Sequence, residues 1–226
     1  MPLYLEKRIN GSRLAVWQMT ETEEEFFSMA ALSEELKSEV KGFRSETRRK
    51  EWLTLRILLK DVLNVAHYDD IIYDEKGKPH LKNGSGYISF SHTKNFAAVV
   101  FHNSKNMGID IETVRERIEK ISHKFLNDDE IKYLPANAPA VHQWQAGIQN
   151  EKRIETLHVI WGAKEVLFKI HGKGGLDFKK QMHVHPFVPA VWGGSVDAEL
   201  KTDGKISHFK IHYFFSGKLI VVYASS

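Results

Sequence analysis

Two carboxylates one residue apart, Asp110 and Glu112, lie in the run Gly108-Ile109-Asp110-Ile111-Glu112. On a strand, alternate side chains share a face, so the acids point together and the isoleucines point away. Carboxylates a few ångströms apart repel unless a proton or a cation separates them. The pair suits Mg²⁺, which takes a few carboxylates and completes its shell with water and ligand phosphates. It also describes a solvated strand face. Further along, Trp161, Glu165 and Lys169 recur at i, i+4 and i+8, one ridge of a helix. A carboxylate and an ammonium one turn apart beside an aromatic ring can serve catalysis, or form an ordinary surface ion pair.

Other residues have weaker chemical signatures. Gly172-Lys173-Gly174-Gly175 offers backbone N–H groups to a phosphate, although the P-loop frame is absent. In Ser89-Phe90-Ser91-His92-Thr93 a serine adjoins a histidine. On a strand these face opposite ways, which argues against a hydrolytic dyad; hydroxyl and imidazole at a strand end can instead hold phosphate oxygens. His183 and His185 alternate onto one strand face, but a zinc site needs a third partner. Arg48, Arg49, Arg56, Lys78 and Lys169 are candidate anion contacts or, singly, solvated surface charges.

The chain that must position these groups has 226 residues, 42% hydrophobic and 27% charged, with no cysteine. That balance belongs to globular proteins. It excludes disulfides, thiolate metal sites and a cysteine nucleophile. A net charge of +3 suits an anionic small ligand and falls short of a nucleic-acid-binding tail. The Met-Pro-Leu-Tyr-Leu-Glu-Lys start lacks the pattern of a signal peptide, and no apolar run approaches the roughly 18 residues of a membrane span. A cytoplasmic location is expected.

Hydrophobic spacing predicts a strand over 13–19, helix-forming sequence over 21–40, and an amphipathic helix over 45–66 carrying Trp52, Leu55, Leu59 and Val62. The leading edge of that helix is basic: Arg48, Arg49 and Lys50, then Arg56 two turns on. A short strand over 70–73, a Lys76-Gly77-Lys78-Pro79 turn, a hairpin of 87–92 with 96–102, and a strand over 106–112 follow. The second half repeats the order. Ile118, Ile121 and Phe125 mark a short helix, and Asn127-Asp128-Asp129-Glu130 caps the next. An irregular connection over 135–150 leads to a long helix over 151–171, stopped by Gly172. Strands follow over 183–187, 195–200, 206–215 and 218–224. The expected fold is α+β, with two pseudo-equivalent subdomains, 1–105 and 106–226. Each is a long helix packed on a mostly antiparallel sheet.

In combination, ordered blocks between Arg48 and Gly174 resemble the 4′-phosphopantetheinyl transferase superfamily, specifically its long single-chain type with two pseudo-repeats. The blocks are Arg48-Arg49-Lys50-Glu51-Trp52-Leu53 with Arg56, Gly77-Lys78-Pro79, Phe90-Ser91-His92-Thr93 and Gly108 to Glu112. Phe125 with Glu130, and Trp161 to Lys169 followed by Gly172-Lys173-Gly174, complete the set. Ser89, Thr93, Gly162 and Val166 depart from the family's usual residues, none of them at a proposed metal ligand.

The resemblance implies transfer of 4′-phosphopantetheine from coenzyme A to a serine of an apo acyl or peptidyl carrier protein. Adenosine 3′,5′-bisphosphate is the other product. It implies Mg²⁺, or Mn²⁺, held by Asp110, Glu112 and Glu165. Glu165 would act as the base, directly or through a water on the ion, and Lys169 would stabilise the leaving phosphate. Lys78 with Pro79, Ser91 and His92 would hold coenzyme A phosphates, and Arg48, Arg49 or Arg56 would meet the 3′-phosphate. A site in the cleft between subdomains, a basic or apolar rim for an acidic carrier, and a monomer complete the expectation. Asp110 reads as part of a polar strand face, so its loss should spare the fold. The alternatives are a Mg²⁺-dependent phosphodiesterase acting on a coenzyme A-like nucleotide, a catalytically silent coenzyme A-binding protein, and a nucleic-acid-binding module.

Overall fold

A computed structural model describes residues 3–65, 67–135 and 143–226. The chain forms two compact units, Met1–Ile111 and Glu112–Ser226. Strand pairings in both sheets and in the small ribbon are antiparallel, so the protein is α+β. Among the described residues no helix is long and apolar enough to cross a membrane.

The first unit opens with a hairpin of β1 (Leu3–Ile9) and β2 (Ser12–Gln18). Its turn is Asn10-Gly11, both at positive φ (50° and 82°), the geometry a tight hairpin demands. β1 was not expected from hydrophobic patterning, although the Asn-Gly pair between alternating segments is a strong hairpin signal. β5 (Tyr87–Thr93) and β6 (Phe96–His102) complete a four-stranded sheet of order β1-β2-β6-β5. The acidic stretch forms two helices, α1 (Glu23–Met29) and α2 (Glu34–Lys41), with Thr22 and Ser33 as N-caps. β3 (Ile71–Tyr73) and β4 (Pro79–Leu81) form a separate small ribbon.

Helix α3 (Glu46–Ile57), capped by Ser45, covers the sheet. Leu53, Ile57, Leu58 and Leu59 share one core with Ala15, Trp17, Ala97 and Val99. The expected helix over 45–66 is shorter: it widens into a π-turn over Leu58–Val62, and Asn64 at φ 48° ends it. Ala66 lies outside the described residues. From Trp52 to Ile57 every side chain is buried, so this half is not amphipathic and Arg56 does not belong to an exposed basic edge.

Strand β7 (Met107–Thr113) contains the division between the units. The second sheet runs β7-β11-β10-β9-β8, where β8 is Met182–Val184, β9 Gly193–Thr202, β10 Lys205–Ser216 and β11 Leu219–Ser225. Short helices α4 (Ile118–Phe125) and α5 (Asp128–Tyr133) precede α6 (Gln143–His171). Asn127 caps α5 as expected, its side chain accepting from Glu130 N while Glu130 reaches back to Asn127 N. Helix α6 begins eight residues before the expected 151; positions 136–142 of the connection lie outside the described residues. It ends where expected, with Gly172 at φ 71° donating its N–H to Phe168 O at 3.0 Å.

Leu157, Ile160, Ala163, Val166 and Leu167 of α6 pack with Val196, Ile211, Ile220 and Val222 in the second core. Contact between helix and sheet is close at Gly162, where an added Cβ would stand 2.6 Å from Val222 Cγ2.

Candidate functional site

In the first unit the chemistry gathers around β7 and the ends of α3 and β5. Asp110 is only 5% exposed. Ser91 Oγ donates to its Oδ1 at 3.0 Å and accepts from Ile111 N at 3.1 Å, while Ser89 Oγ accepts from Ile109 N at 3.2 Å. Two serine hydroxyls of β5 thus bind β7 backbone and aim one carboxylate. This corrects the expectation that Asp110 sits on a polar strand face. It is a buried acid, oriented by Ser91. That serine, expected to grip phosphate, is buried with its hydroxyl turned to Asp110.

His92, the next residue, faces the other way, as strand alternation requires. Its Nδ1 lies 3.1 Å from Glu51 Oε1, and Arg48 Nη1 lies 4.0 Å from Glu51 Oε2. The half-buried Glu51 carboxylate therefore steadies two outward side chains, Arg48 at 57% exposure and His92 at 42%. The other two arginines are differently placed. Arg49 makes a two-point ion pair with Glu23, both bonds 2.8 Å, and donates to Phe43 O. That pairing holds the Glu23 carboxyl below the usual carboxylate range. Arg56 is 3% exposed, its guanidinium 3.2 Å from the centre of the Trp52 ring. Burial lowers its pKa. Arg56 is thus enclosed and Arg49 is half-buried and committed to Glu23, so Arg48 is the most exposed of the three.

Lys78 and Pro79 follow a turn built by Asp74, whose Oδ1 accepts from both Lys76 N and Lys78 N at 2.9 Å. Gly77 takes φ 80° there. Lys78 Nζ donates to Asn106 Oδ1 at 2.9 Å, and desolvation lowers its pKa against the pull of Asp74.

In the second unit, Trp161 Nε1 donates to Glu112 Oε1 at 3.4 Å. The indole is held by Phe125 and Phe178, with ring centres at 5.3 and 5.7 Å. Glu165 and Lys169 continue the same ridge, all three half-buried, so Glu112 is tied to the helix face that carries them.

Lys164, about 100° round the helix from Glu165, is turned into the core. Its Nζ donates to Phe125 O at 2.7 Å, Glu130 Oε2 at 2.7 Å and Phe178 O at 2.9 Å, using all three ammonium protons. Glu130 also accepts from Asn127 N and Val184 N, each at 2.9 Å. A buried charge pair survives only with its remaining hydrogen-bonding capacity filled, and here it is. The pair fixes the rotation of α6 and hence the direction of Glu165. The sequence places Glu130 in the α5 cap but gives no sign of its pairing with Lys164, because nothing local distinguishes a buried lysine from a surface one.

Among the described residues no group of three or more His, Asp or Glu forms a ready cage for a metal ion. Mg²⁺ does not require one: it keeps waters and uses one or two carboxylates with substrate phosphates. The donors present are all hard oxygens, with Asp110 and Glu112 on one strand and Glu165 on the helix that Glu112 meets. That donor chemistry fits Mg²⁺.

Part of the chain is similar to known proteins. Residues 106–212, which carry the β7 acids and the α6 ridge, match the family model of the 4′-phosphopantetheinyl transferase superfamily. Over 128 residues the chain is 26% identical to the 4′-phosphopantetheinyl transferase AcpT of Salmonella typhi, covering 55% of this chain and 60% of that protein. AcpT of Salmonella typhimurium strain LT2 gives the same identity and coverage. Identity is 22% over 156 residues to slr0495 of Synechocystis sp., a protein provisionally named for the same activity, covering 64% of this chain and 58% of the relative. The alignments therefore span less than two thirds of the relatives' own lengths. The acids and the helix ridge thus both lie inside the segment that is similar to the 4′-phosphopantetheinyl transferase superfamily.

Proposed function

We propose that this protein transfers 4′-phosphopantetheine from coenzyme A to a serine of an apo acyl or peptidyl carrier protein, releasing adenosine 3′,5′-bisphosphate. It does so as a cytoplasmic monomer. One observation carries the reading: Trp161 donates to Glu112 at 3.4 Å, joining a β7 acid to the Glu165–Lys169 ridge inside the family-matched segment.

Asp110, Glu112 and Glu165 would hold Mg²⁺, with Mn²⁺ as the alternative, and the bound ion would offset charge developing at the attacked phosphorus. Every other part belongs to side chains. Glu165 takes the proton of the carrier serine hydroxyl. The serine oxygen forms a bond to the phosphorus on the pantetheine side of the diphosphate. The bond from that phosphorus to the bridging oxygen breaks, and its electron pair leaves with adenosine 3′,5′-bisphosphate. Lys169, one turn beyond Glu165, stabilises the leaving phosphate. Lys78, next to Pro79, and His92 hold the diphosphate, and Arg48 meets the 3′-phosphate. Ser91 positions Asp110.

Mass spectrometry of a panel of apo acyl and peptidyl carriers, incubated with the protein, coenzyme A and Mg²⁺, tests the proposal. The expected result is one added phosphopantetheine on a carrier serine, lost in Glu165→Ala. Coenzyme A cleavage indifferent to the carrier would make the protein a phosphodiesterase instead. Coenzyme A binding without turnover would make it a silent binder.

A further inference from the structure

The outer face of the second sheet carries a cluster that the proposed transfer does not use. Register places His183 of β8 opposite Glu199 of β9, and Glu199 opposite His208 of β10. Met182, Val184, Ala198, Leu200 and Ile211 of the same strands fill the core, so the cluster faces away from it. Glu199 Oε1 lies 3.0 Å from His185 Nε2 and 3.5 Å from His208 Nδ1. The His183 ring stands edge-on to His185, centres 4.9 Å apart and planes at 82°.

We propose that His185, Glu199 and His208 form a binding site for a transition-metal ion of the Zn²⁺ class, with water completing the shell. Two imidazoles and a carboxylate are the donors such ions select. At bond lengths of about 2.0–2.1 Å, two donors of a tetrahedral shell stand about 3.3 Å apart. The 3.0 and 3.5 Å separations around Glu199 Oε1 bracket that value. The His185 ring nitrogen is within hydrogen-bond reach of the Glu199 carboxylate, and the His208 ring nitrogen approaches the same oxygen; a divalent ion would draw all three donors onto itself.

The three donors do not yet close on one point. The side chain that must turn is His208, which at 73% is the most exposed of the three. His183 is a wall and not a ligand, because its Nδ1 meets Asn127 Nδ2 at 3.3 Å; contacts of this kind fix the orientation of a ligating ring. The His183–His185 pair lacked a third partner in the sequence, and antiparallel register supplies it from two neighbouring strands. A bound ion would clip β8, β9 and β10 together.

Co²⁺ is the probe, added to the whole protein in excess Mg²⁺ so that all-oxygen sites are filled. The expected result is the strong visible absorption of tetrahedral Co²⁺, saturating at a single equivalent and bleached by Zn²⁺. A rise in melting temperature with Zn²⁺ should accompany it. His185→Ala combined with His208→Ala should abolish both signals, and Glu199→Gln should weaken the binding. These exposed positions leave folding, read by circular dichroism, and carrier modification unchanged. The proposal is overturned if the wild-type protein gives no tetrahedral band, or if the band survives the double substitution.

Discussion

Lys164 Nζ lies 2.7 Å from Glu130 Oε2, and neither side chain has any exposed surface. Glu165, the residue proposed to move the proton, is the next in sequence. Burying one side chain of the Lys164-Glu165 dipeptide as a saturated ion pair leaves the other no choice of direction.

Lys164→Met should therefore destabilise the second unit by about 3–5 kcal/mol, because it strands a buried carboxylate. Urea denaturation measures the loss. A change under about 1 kcal/mol would show that Glu130 simply protonates or finds water.

Asp110 and Ser91 can be separated by comparing variants. Asp110→Ala should abolish carrier modification and also cost about 1–3 kcal/mol, since it removes the acceptor of a buried hydroxyl. Ser91→Ala keeps the acid and loses its orientation. It should lower activity about 10–100-fold and raise the Mg²⁺ concentration for half-maximal rate. Unchanged Mg²⁺ dependence would assign Ser91 a purely structural role.

Gly162→Ala places a methyl 2.6 Å from Val222 Cγ2, and overpacking of this kind costs about 1–3 kcal/mol. Calorimetry should show a lowered melting temperature, restored in part by Val222→Ala. Lack of that rescue would trace the strain to another neighbour.

The ion pair of Arg49 with Glu23 gives a pH signature. The folded Glu23 carboxyl is held below its unfolded value, ordinarily about 4.3. Its contribution to stability is present above that value and disappears as pH falls through the lowered folded one. Wild type and Arg49→Ala should thus differ in urea midpoint at neutral pH and converge in acid. A gap that persisted in acid would mean that Arg49 acts through Phe43 O instead.

Arg48 is tested by coenzyme A lacking the 3′-phosphate. A charge-assisted hydrogen bond contributes about 1.5–3 kcal/mol, so Arg48→Ala should raise KM for coenzyme A about tenfold or more with kcat held. It should leave KM for the dephospho form alone. Equal losses on both substrates would remove Arg48 from the 3′-phosphate.

Much of the secondary structure was legible in local pattern. The β5 and β6 strands, the Asn127 cap, the Gly172 stop and the Trp161–Glu165–Lys169 ridge follow from spacings of two to four residues. Such patterns depend only on strand and helix periods. Local pattern fails elsewhere. Arg56 reads as part of an exposed basic edge and Asp110 as part of a polar strand face, and nothing local marks Lys164 as buried. Asp110 and Lys164 are decided by partners on other elements, Ser91 and Glu130, and Arg56 by the burial of the whole Trp52–Ile57 stretch.

Residue order alone settled the α+β class, the helix ridge and the family resemblance, because these depend on short-range periodicity and on motif order. Tertiary packing decided which arginine faces outward, which serine aims Asp110, and where His185 finds its companions. Those outcomes hinge on strand register and on the cost of burying charge, and neither is written in any single segment.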